Sequence, residues 1–126
     1  MSFSNYLENK LLLHTFGATA YTAPTTLYLA IHTTNPAEDN TGTEVSGSAY
    51  ARQTVAFTVT TSTASNTSAV EFPTATGSWG TLTHVGVYDA LTSGNLLAYA
   101  ALTTNKIIDT NDVFRVPAGD LDITLD

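Results

Sequence analysis

Two periodicities divide the chain. In the first seventeen residues, Phe3, Leu7, Leu11 and His14 recur at helical spacing. Asn5-Tyr6-Leu7-Glu8 has a side-chain acceptor followed three residues later by Glu, the spacing of an N-terminal cap, and Gly17 stands where a helix C-cap is expected. These signals predict one short amphipathic helix over residues 4–16. Its apolar stripe, with Leu7 and Leu11, is expected to be buried against a sheet or a partner subunit.

Beyond Gly17 the period changes to two. Leu27, Leu29 and Ile31 fall on one face of a strand, with Tyr28, Ala30 and His32 on the opposite, polar face. Residues 33–48 carry Asn35-Pro36, Asp39-Asn40, Gly42 and Gly47, the chemistry of a long polar loop. Alternation resumes from Tyr50 to Thr60. The Ser-, Thr- and Asn-rich residues 61–68 read as a turn or hairpin end. Short strands then follow at Val70-Glu71-Phe72, Thr83–Asp89, Leu96–Leu102, Lys106–Ile108, Val113–Val116 and Leu121–Leu125. Turn signals such as Gly77-Ser78-Trp79-Gly80, Ser93-Gly94-Asn95 and Asn111-Asp112 separate them. The pattern predicts an all-β fold, an antiparallel β-sandwich or jelly-roll-like barrel with one short N-terminal helix, as a single domain over residues 1–126. No helical segments alternate with the strands, which excludes a parallel α/β sheet.

Composition narrows the function. A chain of 126 residues is long enough to bury a core without staples, and with no cysteine it has no disulfide framework or thiolate metal site. Eleven acids stand against four scattered bases, Lys10, Arg52, Lys106 and Arg115, so nucleic acid is not an expected partner. No apolar run approaches the ~20 residues of a membrane span, and Leu11-Leu12-Leu13, preceded by Glu8, lacks the basic start of a secretion signal. Only 12% of residues are charged, against ~25% in ordinary soluble domains, so the polar surface is built largely from 24 threonines. A weakly charged, Thr-rich β surface suits a protein that lies against neighbours.

The search for reactive groups returns little. The sequence has no Gly-x-Ser-x-Gly elbow and no phosphate-cradling glycine loop. His32 and His84 are the metal-ligand candidates, because adjacent strands would bring them together, but no carboxylate stands at a spacing that completes a zinc site. They read better as polar-face strand residues. Glu38, Asp39, Asp109, Asp112 and Asp120 sit in turns, where such side chains hydrogen-bond their own backbone. Trp79, Tyr50, Tyr88 and Tyr99 are candidate sugar-stacking aromatics, with Trp79 in a turn that would present its indole unless it plugs the core. Arg52 is expected to pair with Glu44 or Glu71. Neither an enzymatic activity nor a cofactor is expected.

The order of short segments carries one further signal. It runs from Ser4-Asn5-Tyr6-Leu7-Glu8-Asn9-Lys10-Leu11-Leu12 through Leu27-Tyr28-Leu29-Ala30-Ile31-His32-Thr33, Asn35-Pro36 and Gly42-Thr43-Glu44-Val45-Ser46-Gly47 to Tyr50-Ala51-Arg52-Gln53. Phe72-Pro73, Trp79-Gly80, Thr83-His84-Val85-Gly86, Asn95-Leu96-Leu97 and Phe114-Arg115-Val116-Pro117-Ala118-Gly119 complete it. Nearly the whole chain resembles a widespread family of small phage virion proteins, usually labelled tail-fibre or minor tail proteins. The resemblance implies a structural component of a phage particle, assembled in the host cytoplasm and most readily placed in the tail. Capsid decoration is the alternative and a carbohydrate-binding module the second. Expected partners are other phage structural proteins, further copies of this chain, as a trimer, and a host-surface glycan. Leu7, Leu11, Arg52, Trp79 and Arg115 are the candidate interface or ligand-contact residues.

Overall fold

A computed structural model describes residues 1–125. One helix, α1 (Asn5–Phe16), follows a two-residue strand β1 (Ser2–Phe3). The other strands are β2 (Leu27–His32), β3 (Gln53–Val55), β4 (Phe57–Thr60), β5 (Thr63–Asn66), β6 (Val70–Glu71), β7 (Gly80–Tyr88), β8 (Leu96–Ile108), β9 (Arg115–Val116) and β10 (Asp122–Thr124). They form antiparallel sheets in the orders β1-β8-β7-β2-β3, β10-β5-β4 and β6-β9. This is the all-β class with one short helix that the alternation predicts.

The apolar phase of each strand sets the core. Leu29 and Ile31 of β2, Val85 and Val87 of β7 and Val55 of β3 project from one face of the five-stranded sheet. They meet Val70, Phe72, Phe114 and Val116 from around the β6–β9 ribbon. Four aromatic rings lock this layer: Phe72 lies 6.0 Å from Tyr50, 6.4 Å from Trp79 and 5.8 Å from Phe114. The three-stranded sheet is tied in by buried Asn66, whose amide donates to the Pro117 carbonyl at 3.0 Å and accepts the Leu121 N–H at 2.9 Å.

Several sequence expectations shift. Ser4, not Asn5, caps the helix: its hydroxyl accepts the Leu7 N–H at 3.2 Å and also donates to the Leu96 carbonyl. At the other end Gly17 is the C-cap as expected, its N–H donating to the Leu13 carbonyl at 3.0 Å, and left-handed Ala18 brings the Thr19 N–H to the same carbonyl at 3.1 Å. The helical stripe is not buried by the sheet. Leu7 and Leu11 are half-buried, no residue of α1 is fully covered, and Phe16 is 83% exposed. Residues 61–68, expected as a hairpin end, contain strand β5. Lys106–Ile108 is continuous with the preceding strand, because Leu102 to Asn105 bulge out opposite Thr83 and pairing then resumes.

The largest departure is on the second face of the five-stranded sheet. Alternation assigned Ala30 and His32 to solvent, yet β2 is buried on both sides from Leu29 to His32. Ala30, Tyr88 and Leu96 form a second apolar cluster there, with Tyr99 packed against it. The loop of residues 33–48 folds over this face, held by a bridge between Glu44 and His32. Period two reports pleating but not what covers the polar side.

Candidate functional site

The polar groups of that second face converge on Arg52, one residue ahead of β3. Its Nε donates to Glu44 Oε2 at 2.9 Å and its Nη2 to Glu44 Oε1 at 2.8 Å, a bidentate pair. Nη1 donates to the carbonyls of Ala90 and Ser93 at 2.9 and 2.8 Å. The guanidinium carbon lies 3.8 Å from the centre of the Tyr88 ring. One side chain thereby fastens the 33–48 loop and the β7–β8 turn to the sheet. That turn needs left-handed backbone at Ser93 and Gly94, with φ of 55° and 73°.

Hydrogen bonds extend the network both ways. The Tyr50 hydroxyl donates to Glu44 Oε2 at 2.6 Å and accepts the Ile31 N–H at 3.1 Å. The Tyr88 hydroxyl donates to Asn40 Oδ1 at 2.7 Å and lies 3.0 Å from His32 Nε2. Since the Tyr88 proton goes to Asn40, His32 is the Nε2–H tautomer donating to Tyr88, and its buried Nδ1 is left without a partner. Gly86 makes room for this ring: a Cβ there would stand 2.9 Å from Leu96, 3.2 Å from His32 and 3.2 Å from Tyr88.

Burial and pairing set the charge states. Burial pushes the His32 imidazole down to about 4, with Arg52 and His84 adding to the fall and Glu44 opposing it. Burial alone would raise the Glu44 carboxyl, but hydrogen bonds from Arg52 and Tyr50 outweigh it and hold the carboxyl below its ordinary value. Burial likewise works against the Arg52 cation, and Glu44 more than compensates. Burial and then the Glu44 charge push the Tyr88 phenol up to about 12, and burial with the Glu44 hydrogen bond sends Tyr50 higher still. At neutral pH one ion pair is therefore surrounded by neutral His32, Tyr50 and Tyr88. The hydrogen bonds among these groups fix the 33–48 loop and the β7–β8 turn on the sheet.

The other candidates are dispersed. His32 and His84 are directly opposed on β2 and β7, but the Glu44 carboxylate is turned to Arg52 and His84 Nδ1 is 2.8 Å from Thr83 Oγ1. Among the described residues no three His, Asp or Glu side chains converge. The turn before β7 does not present the Trp79 indole: it is 4% exposed, and its N–H donates to the Ser48 carbonyl at 2.9 Å. Arg115 is exposed on β9, opposite Glu71 on β6. Of the two acids expected for Arg52, Glu44 takes it. Of the turn acids, Asp112 accepts a backbone donor as expected, the Asp109 N–H at 2.9 Å, whereas Asp39 accepts the Thr41 side-chain hydroxyl at 2.8 Å.

The model of the family described as podophage GP4 fiber I protein gp80 matches residues 2–124, nearly the entire chain and every element of the fold. The chain belongs to this fibre-protein family. Comparison with curated proteins returns no match. Membership in a phage fibre family makes the chain a structural protein of the virion, as the order of its short segments implies. The Arg52 network suits that role, since a fibre protein needs loops held rigidly on a sheet. Among the described residues, no helix is long and apolar enough to cross a membrane.

Proposed function

We propose that this chain is a non-catalytic contact module of a phage fibre: one β domain that docks on neighbouring virion proteins, associates with copies of itself as a trimer, and carries surface that meets the host. The observation that carries this reading is the fibre-family match over residues 2–124. Two further features support it. The strongest polar constellation, around Arg52 and Glu44, is spent on holding loops in place. Apolar side chains remain on the surface of several elements, including Leu12 and Phe16 on α1, Val59 on β4 and Ile107 on β8.

Two measurements test the reading. Light scattering on the purified protein at micromolar concentration gives three times the 13.3 kDa chain mass. Mass spectrometry of purified particles finds the chain in stoichiometric amounts with the other tail proteins. A chain absent from particles would defeat the proposal, and a persistent monomer would remove its trimeric part.

A further inference from the structure

One surface recess is furnished differently from the rest. It lies where α1, the segment 21–26 and the start of β2 meet, an open recess of about 450 Å³. That volume falls in the range of small-ligand sites. Tyr6 of α1, Tyr21 of the connecting segment and Tyr28 of β2 line it together with Thr25, Thr26 and Asp89.

The walls are positioned by the fold. The Tyr21 N–H donates to His14 Nδ1 at 3.0 Å, which fastens the segment to the helix. The rings of Tyr6 and Tyr21 meet edge to face, 6.5 Å apart at 77°. The backbone of Tyr28 is fixed between its ladder partners Tyr88 on β7 and Thr54 on β3. Asp89 is fixed because Asn95 donates to both of its carboxylate oxygens, at 2.7 and 2.9 Å. The hydroxyls of half-buried Tyr50 and buried Tyr88 are consumed by the internal network. Among the described residues, no hydrogen bond engages the hydroxyls of Tyr6, Tyr21 or Tyr28.

We infer that this recess binds a neutral saccharide, the ring of a hexose, deoxyhexose or N-acetylhexosamine at the end of a surface glycan. Phenol faces stack on the C–H face of a sugar ring, while the free tyrosine and threonine hydroxyls exchange hydrogen bonds with sugar hydroxyls. The Asp89 carboxylate accepts from sugar hydroxyls and repels anions. No Lys, Arg or His lines the recess itself, and the one cation beside it, the Lys10 ammonium, lies 5.6 Å from the centre of the Tyr6 ring. The inference deepens the host-facing part of the function proposed above and rests on it.

The test is a titration of the labelled full chain with the methyl glycosides of glucose, galactose, rhamnose and N-acetylglucosamine, and with a panel of neutral oligosaccharides built from them. N-Acetylneuraminic acid, glucose 6-phosphate and choline run in parallel. Tyrosine ring signals are followed by NMR. A neutral sugar should shift the rings of Tyr6, Tyr21 and Tyr28 with millimolar affinity. Tyr28→Ala should weaken it by about tenfold, the loss of one stacked ring. Tyr21→Ala, which leaves the sheet intact, should do the same, and Tyr99→Ala should leave binding unchanged. Preferential binding of choline or an anionic sugar, silence of the pocket tyrosines toward every neutral sugar, or undiminished binding in both pocket variants would overturn the assignment. Particles are scored for the chain at the same time. A chain retained in particles but blind to sugars sinks only the pocket; a chain missing from particles sinks the fibre reading.

Discussion

Acidification should destabilise this protein through His32 before its carboxylates titrate fully. The ring is 1% exposed, donates from Nε2 to Tyr88 and keeps an unpartnered Nδ1. Protonation would place a cation there beside Arg52. The unfolded chain takes up this proton near pH 6.5, whereas the folded protein resists it until about pH 4. The stabilisation is therefore complete above about pH 6.5 and is lost as pH falls toward 4. The difference from 6.5 to about 4 corresponds to roughly 3 kcal/mol, a large share of an ordinary domain's stability. Urea unfolding followed by the emission of Trp79, the single tryptophan and a buried one, reads this directly at pH 7.5, 6.5, 5.5 and 4.5. The comparison is His32→Gln, whose amide keeps a donor toward Tyr88 but cannot titrate. It should start about 1–2 kcal/mol less stable at pH 7.5 and lose much less between pH 6.5 and 4.5, so the curves converge. Parallel curves would refute the assignment of a buried, neutral His32.

Three further substitutions probe the same architecture. Arg52→Met strands the Glu44 carboxylate and frees the Ala90 and Ser93 carbonyls; with Glu44 26% exposed, the loss should be about 2–4 kcal/mol, partly recovered when Glu44→Gln is added, as denaturant midpoints would record. Gly86→Ala drives a methyl group into Leu96, His32 and Tyr88 and should cost about 1–3 kcal/mol, visible as a lower melting temperature. Leu7→Asp removes a half-buried leucine at the start of α1 and should cost no more than about 1 kcal/mol in the monomer; calorimetry showing a loss above about 2 kcal/mol at unchanged mass would mean the helix is packed more tightly than its exposure indicates.

What could be read from the sequence was whatever leaves a periodic trace. The helix, the apolar phase of β2 and β7 and the Ser93-Gly94 turn were legible because pleat, helical pitch and left-handed backbone each restrict residue type locally. Arg52–Glu44 was legible for another reason: Arg52 is the lone base between Lys10 and Lys106, and Glu44 and Glu71 are the acids that flank it along the chain. The rest depended on what packs over what. Ala30 and His32 alternate like solvent-facing residues, but Tyr88, Leu96 and the folded-over 33–48 loop bury them. Trp79 sits in turn-like sequence, yet Ser48, thirty-one residues away, supplies the carbonyl its indole needs. Asn66 lies in a run of Ser, Thr and Asn with nothing to mark it as the anchor of a sheet. Tyr6, Tyr21 and Tyr28 come from three elements and meet only in space.

The central claim is that this fibre-family chain is a structural element of the phage fibre. An electron cryomicroscopy reconstruction of the intact particle tests it most directly. The account predicts density for this fold in a tail-attached fibre, with symmetry-related copies in contact, and its loss when the gene is deleted. The same density seated on the capsid shell, or a particle unchanged by the deletion, would contradict it.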